Sequence, residues 1–335
     1  MRRTPLLLAI ILLLTVWLTG CGPKSSDEVI RDVSKRLEKM ESYKSKAKMQ
    51  VATGNEPQEY DVEVWYQQPH FYRVSLKNKK KEITQVLLRN DDGVYVITPH
   101  LDKSFRFQSD WPEANGQIYL YQTLMNSIIE DKERQFEATE GVYQFEVAAS
   151  YKQHQSFQSQ KIWMKQDLSP DKVEVYDENH EALVTVTFDS FEINPTFDAD
   201  AFDLERNRSA FALKKSPSTE EEEKFSVLTP GYVPEGSRLT GENTVESMNG
   251  KTVVMRYQGD RPFTLAQSHP SAVHASLTAE GTPIDLGFTY GVMVEMEEKK
   301  RLTWTYEGTQ FELYGDLPEA EMEKIAQSVV TQPAK

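Results

Sequence analysis

The sequence predicts an α+β protein: a large curved antiparallel sheet covered by helices, followed by a smaller α+β domain. Three observations lead there. Period-two alternation recurs in short runs between residues 46 and 193, as in Tyr60, Val62, Val64 and Tyr66 against Asp61, Glu63 and Trp65. Helical periodicity is confined to a few segments. A polar stretch at 206–224, RNRSAFALKKSPSTEEEEK, interrupts the pattern and reads as a linker, although Phe202, Leu204 and Phe211 are suited to dock on what precedes it.

The chain opens Met1-Arg2-Arg3, then runs apolar from Leu6 to Leu18, too short for a membrane span of about 20 residues. A basic start, a short apolar core and small residues after it describe a secretory signal peptide, here residues 1–20. Leu18-Thr19-Gly20-Cys21 resembles a bacterial lipobox, and Cys21 is the only cysteine in the chain. The resemblance implies diacylglyceryl attachment at the Cys21 sulfur and cleavage before it. More than one acyl chain, at ~0.8 kcal/mol per buried CH₂, anchors stably. The alternative is an uncleaved anchor with an incidental cysteine. With Cys21 lipidated, no thiol would remain to mispair outside the cell.

Residues 21–26 form the lipidated tether, and Ser26 is the expected N-cap of an amphipathic helix at 27–42 with Val29, Ile30, Val33, Leu37 and Met40 on one stripe. Strands follow at 46–53, 60–66, 70–76, 83–89, 93–98, 103–107, 134–139, 142–149, 157–165, 172–177 and 182–193. Turn signals such as Asn90-Asp91-Asp92-Gly93 and Ser169-Pro170-Asp171 separate many of them. One helix interrupts them at 117–130, where Ile118, Tyr121, Leu124, Met125 and Ile128 share a face. A first domain at 27–205 and a second at 225–331 are expected, the second with strands at 252–257, 262–267, 292–296, 301–306 and 309–314 and a helix at 317–330.

Formal charge is −14, and loss of Arg2 and Arg3 with the leader makes it −16. That balance argues against nucleic acid, which demands Lys and Arg to displace counterions, and against lying flat on an anionic membrane. No catalytic or phosphate-binding motif occurs, so no enzyme and no cofactor are expected. Six scattered histidines suggest no metal site, and Pro270 disrupts the closest pair, His269 and His274. Asp198, Asp200 and Asp203 lack the glycine and glutamate of a calcium loop and read as an acidic turn. Lys77, Lys79, Lys80 and Lys81 read as a solvated hairpin tip. Aromatics are frequent among the strands, and Trp65, Tyr66, Phe71, Tyr72 and Tyr95 are the candidates for lining a ligand cavity; parity does not say which face is concave.

The runs VEVWYQQPHFYRVSL (62–76), LLRNDDGVYVITP (87–99), KSFRF (103–107) and FEINPTFDADAFDL (191–204) resemble the LolA/LolB lipoprotein-carrier family over about 27–205. PGYVPEG (230–236), LTWTYEGTQFELYG (302–315) and EKIAQS (323–328) resemble a small domain of exported or anchored proteins in endospore-forming bacteria. Together they are similar to sporulation- or germination-associated LolA-like lipoproteins of Gram-positive bacteria, and the two-domain plan is also similar to periplasmic anti-sigma-factor regulators. The resemblance implies a half-barrel with lid helices around a cavity for acyl chains or a lipidated peptide. A soluble shuttle has no anchor, so Cys21 favours a receptor, chaperone or sensor on the outer face of the cytoplasmic membrane. Two functions are carried forward: binding of a lipid, lipoprotein or lipidated peptide, and scaffolding or sensing through an envelope protein partner.

Overall fold

The computed structural model describes residues 24–329 apart from 53–56, 81–82, 100–102, 108–110, 112–116, 140, 152–155, 213–226, 248–249, 269–275, 278–280, 287–288, 298 and 307–308. The leader, Cys21, Lys81, His100, His154, His269, His274 and most of the expected linker lie outside the described residues.

Helix α1 (Ser26–Lys39) begins one residue earlier than expected. Ser25 is the N-cap because Glu28 sits three residues on: the Ser25 hydroxyl accepts from the Glu28 N–H, and the Glu28 carboxylate accepts from the Ser25 N–H at 2.9 Å. Val29 and Val33 on its apolar stripe are fully buried.

Strands β1 (Ser42–Val51), β2 (Gln58–Gln67), β3 (Phe71–Asn78), β4 (Thr84–Asn90), β5 (Gly93–Thr98) and β6 (Lys103–Phe107) form a meander. Helix α2 (Tyr121–Glu130) follows; the four residues before it, expected as helix, form a turn closed by Leu120 N–H to the Gln117 carbonyl at 3.0 Å. Strands β7 (Gln135–Thr139), β8 (Val142–Ala148), β9 (Ser159–Lys165), β10 (Pro170–Tyr176) and β11 (Ala182–Ile193) return, with β11 pairing to β1. Helix α3 (Leu204–Ala212) occupies the start of the stretch expected as linker.

Strands β12 (Ser237–Ser247), β13 (Gly250–Gly259), β14 (Phe263–Ser268), β15 (Ser276–Leu277), β16 (Thr282–Asp285), β17 (Tyr290–Met296), β18 (Lys299–Tyr306) and β19 (Thr309–Gly315) precede helix α4 (Glu319–Ser328). The result is an open 12-stranded sheet, ordered β15-β6-β5-β4-β3-β2-β1-β11-β10-β9-β8-β7, and a seven-stranded sheet, ordered β12-β13-β14-β19-β18-β17-β16. Within the large sheet the pairs are antiparallel except for β15, which adds parallel to β6 from the far half of the chain. The large sheet with its helices and the smaller mixed unit are the α+β architecture that the periodicities predict.

Alternation decides what each face buries. On one face Tyr60, Val62, Val64 and Tyr66 of β2 join Tyr72, Val74 and Leu76 of β3 and pack under α1 and α2, whose Leu124, Met125 and Ile128 are fully buried. In the smaller sheet, Met255, Leu265, Leu302, Phe311 and Leu313 pack with Met322 and Ile325 of α4 at 0% exposure.

Candidate functional site

The five candidate aromatics do not share one face. Tyr66 and Tyr72 face each other across β2 and β3 on the helix-covered side, while Trp65 and Tyr95 lie in the next row on the opposite side. Phe71 also belongs to that opposite side, packed with Trp65 against a second apolar cluster of Val86, Leu88, Tyr95, Ile97, Ala201 and Phe202.

Under the helices the rings interlock. Tyr43 lies 5.4 Å from Tyr66, 6.1 Å edge-on from Tyr121 and 5.3 Å from Phe191. Tyr66 continues to Tyr72 at 4.8 Å, and Tyr72 meets Trp111 edge-on at 5.6 Å. Tyr43, Tyr121 and Trp111 are at most 1% exposed. Both tyrosine hydroxyls are satisfied: that of Tyr43 accepts from the Tyr121 N–H at 3.3 Å, and that of Tyr121 donates to the Leu168 carbonyl at 3.0 Å. Burial pushes both phenols up, Tyr121 to about 12. These side chains occupy the ground between sheet and lid where the family resemblance expects cargo.

The opposite face is covered by residues 197–212. Phe197 stacks on Trp65 at 5.4 Å, and Phe202 tilts onto Phe71 at 5.6 Å, as sequence suggested for Phe202. Leu204 packs on the same cluster; the Phe211 side chain lies outside the described residues. At the centre is Arg73, whose guanidinium lies over Trp65 at 4.5 Å and whose Nε donates to Asn207 Oδ1 at 2.6 Å. Asn207 Nδ2 in turn donates to the carbonyls of Ala201 and Asp203. Burial pushes the Arg73 guanidinium down, against the neighbouring Glu63 carboxylate. Arg73 lies in the VEVWYQQPHFYRVSL run that carries the family resemblance, though with no role assigned to it, and Asn207, a lone asparagine in a polar helix, carries no spacing signal.

Two open clefts flank this covering segment. One, about 300 Å³, is walled by Phe71, Phe197 and Phe202 and rimmed by Asp91, Asp92, Asp198 and Asp203. The other, about 450 Å³, is lined by Glu41, Ser42, Gln67, Gln68 and Asn194–Phe197. The acidic turn is partly neutralised: Arg206 bonds Asp198 at 2.8 Å and Asp200 as well, and the Asp203 carboxylate accepts from the Arg206 N–H. Among the described residues no group of His, Cys, Asp or Glu is arranged to hold a metal, and no helix is long and apolar enough to cross a membrane.

The two sheets meet at Gln85. Its side chain copies a strand edge: Oε1 accepts from the Tyr290 N–H at 2.7 Å and the Thr289 hydroxyl at 3.1 Å, and Nε2 donates to the Tyr290 carbonyl at 3.1 Å. The Tyr290 hydroxyl bonds that of Tyr119, just before α2.

A family model described as "Sporulation protein YdcC-like" matches residues 1–202, and one described as a domain of unknown function, DUF4367, matches residues 227–329. The sporulation protein YdcC of Bacillus subtilis (strain 168) is 38% identical over 338 residues, covering 100% of this chain and 99% of its own length. Among solved structures, the MucA/MucB complex of Pseudomonas aeruginosa aligns over 89% of this chain and 98% of its own, at 12% identity and a TM-score of 0.31. A LolA-superfamily protein of Nitrosomonas europaea aligns over 53% of this chain and 97% of its own, at 11% identity and a TM-score of 0.29.

Proposed function

The chain belongs to the YdcC-like sporulation protein family, and from that membership we propose that it is a lipid-anchored scaffold of sporulation that holds an envelope protein partner on the outer face of the cytoplasmic membrane. Cys21 is its anchor. The observation that carries the scaffold reading is the interlocked set of Tyr43, Tyr66, Tyr72, Tyr121 and Trp111 beneath α1 and α2. An acyl chain entering there would have to displace rings that already bury their own area, at about 25 cal/mol per Å². The open clefts do not substitute for it. An acidic rim faces the phenyl-walled one, which disfavours a fatty-acid carboxylate.

Lipid binding stays the second reading, because the same rings under paired helices would form an apolar wall if the helices swung away. Native mass spectrometry on residues 22–335, purified without detergent, separates the two. A bare mass that takes up no fluorescent fatty acid is the scaffold's expected result. A mass excess that leaves on denaturation and extracts as an acyl species overturns it. Palmitate labelling of the wild type, lost in Cys21→Ala, tests the anchor.

A further inference from the structure

The outer face of the seven-stranded sheet differs from the rest of this acidic chain. Pairing puts Arg256, Thr264, Tyr314, Arg301 and Val294 in one row across five strands, with Lys299 and Met296 beside it and Arg238 beyond Arg256. The inner face of the same sheet is closed by α4, whereas Tyr314 is 38% and Met296 45% exposed. Among the described residues the side chains of Arg238, Arg256 and Arg301 have no hydrogen-bond or ion-pair partner, and Arg301 Nε is buried without one. Lys299 lies over the Tyr314 ring at 5.0 Å. In the next row, between Ala266 and Thr303, Glu312 accepts from Gln310 Nε2 at 3.1 Å.

Two facts point away from the protein's own membrane as the occupant. The amino-terminal end of α1 lies beside the β7 side of the large sheet, where Asp27 pairs with Arg134 at 3.5 Å. The smaller sheet docks on β4, eight strand positions away, on the order of 40 Å along the sheet. The exposed Tyr314 and Met296 among the basic side chains also set the patch apart from a purely polybasic lipid-headgroup site. Arginine, tyrosine and methionine around a flat, threonine-bearing surface are the residue types enriched in protein interfaces.

We propose that this outer face docks an acidic, extended segment of a protein partner, its carboxylates taken by Arg256 and Arg301 and an apolar side chain seated on Tyr314 and Met296. Arginine suits the role because its planar fork binds a carboxylate with two parallel N–H···O bonds. The inference rests on the scaffold reading and names the chemistry of its partner.

The test uses the full chain in a zwitterionic detergent and a fluorescein-labelled peptide of alternating glutamate and leucine, with the lysine–leucine peptide as control, read by fluorescence anisotropy. The glutamate peptide is expected to bind, more weakly as salt rises, and the lysine peptide not to bind. Arg256→Glu with Arg301→Glu is expected to weaken binding by roughly tenfold or more, and Tyr314→Ala to weaken it without altering the salt dependence. Arg256→Glu alone, at an exposed position, guards against misfolding of the double variant, and an unchanged melting midpoint verifies it. Equal binding of both peptides, or no effect of any variant, overturns the proposal, as does variant-sensitive binding of phosphatidylglycerol vesicles in place of the peptide. A lipid-laden native mass would overturn the scaffold reading instead, so the two failures are told apart.

Discussion

The large sheet covers its two faces by different means. On one, α1 and α2 press apolar side chains onto a continuous aromatic layer, in which the hydroxyls of Tyr43 and Tyr121 find hydrogen-bond partners. On the other, a segment that ends in the short helix α3 is fixed by one buried arginine and one buried asparagine, with four aromatic rings around them. The first cover derives its stability from area and packing, which are non-directional and spread over many residues. The second depends on a few directional contacts, so losing one should release a whole segment.

The largest effect is expected from Tyr43→Ala in the first cover. It removes a fully buried ring that touches Tyr66, Tyr121 and Phe191, and urea denaturation should show a loss of about 3–5 kcal/mol. Arg73→Ala should cost less globally, about 2 kcal/mol, yet its damage should be local. Hydrogen exchange would then rise across 197–212 while α1 and α2 keep their protection. Uniform loss of protection over both covers would erase the contrast. Gln85→Ala, which leaves the Tyr290 N–H and carbonyl unpaired, should cost about 1–2 kcal/mol and open the region between the sheets to limited proteolysis.

The smallest effect near neutrality belongs to Tyr121→Phe, about 1 kcal/mol for the bond to the Leu168 carbonyl. Its signature lies at high pH. Burial raises the Tyr121 phenol from 10.0 to about 12, so its contribution is complete below pH 10 and disappears as pH climbs through 12. Denaturation midpoints of the wild type should fall over that window, and those of Tyr121→Phe should fall less steeply. Equal slopes would show that this hydroxyl does not report on the sealed face.

Strand alternation made the opposed directions of Trp65 and Tyr66 legible from sequence, since neighbours in a strand point to opposite faces. Which of the two faces carries the helices was not, because that depends on sheet-to-helix packing between distant segments. The Arg73–Asn207 contact spans 134 residues and leaves no local trace. Strand β12 was missed for another reason: its described residues are exposed or only half-buried along their length, so no hydrophobic alternation marks it. The N-cap shifted by one residue because the capping box needs its acid three positions on, a rule that Ser25 and Glu28 satisfy and Ser26 does not.

Ser276 and Leu277 pair with Ser104 and Phe105, and Tyr290 pairs with Gln85, 205 residues earlier. The large sheet is therefore finished by a part of the chain made long after its own strands. Until those late residues emerge, β6 presents a bare edge, a template for pairing with other chains. A chain that folds from its amino-terminus passes through that interval half-assembled, so a chain truncated after β11 would leave the β6 edge bare, whereas one truncated after β17 could cover it at Ser104 and Phe105.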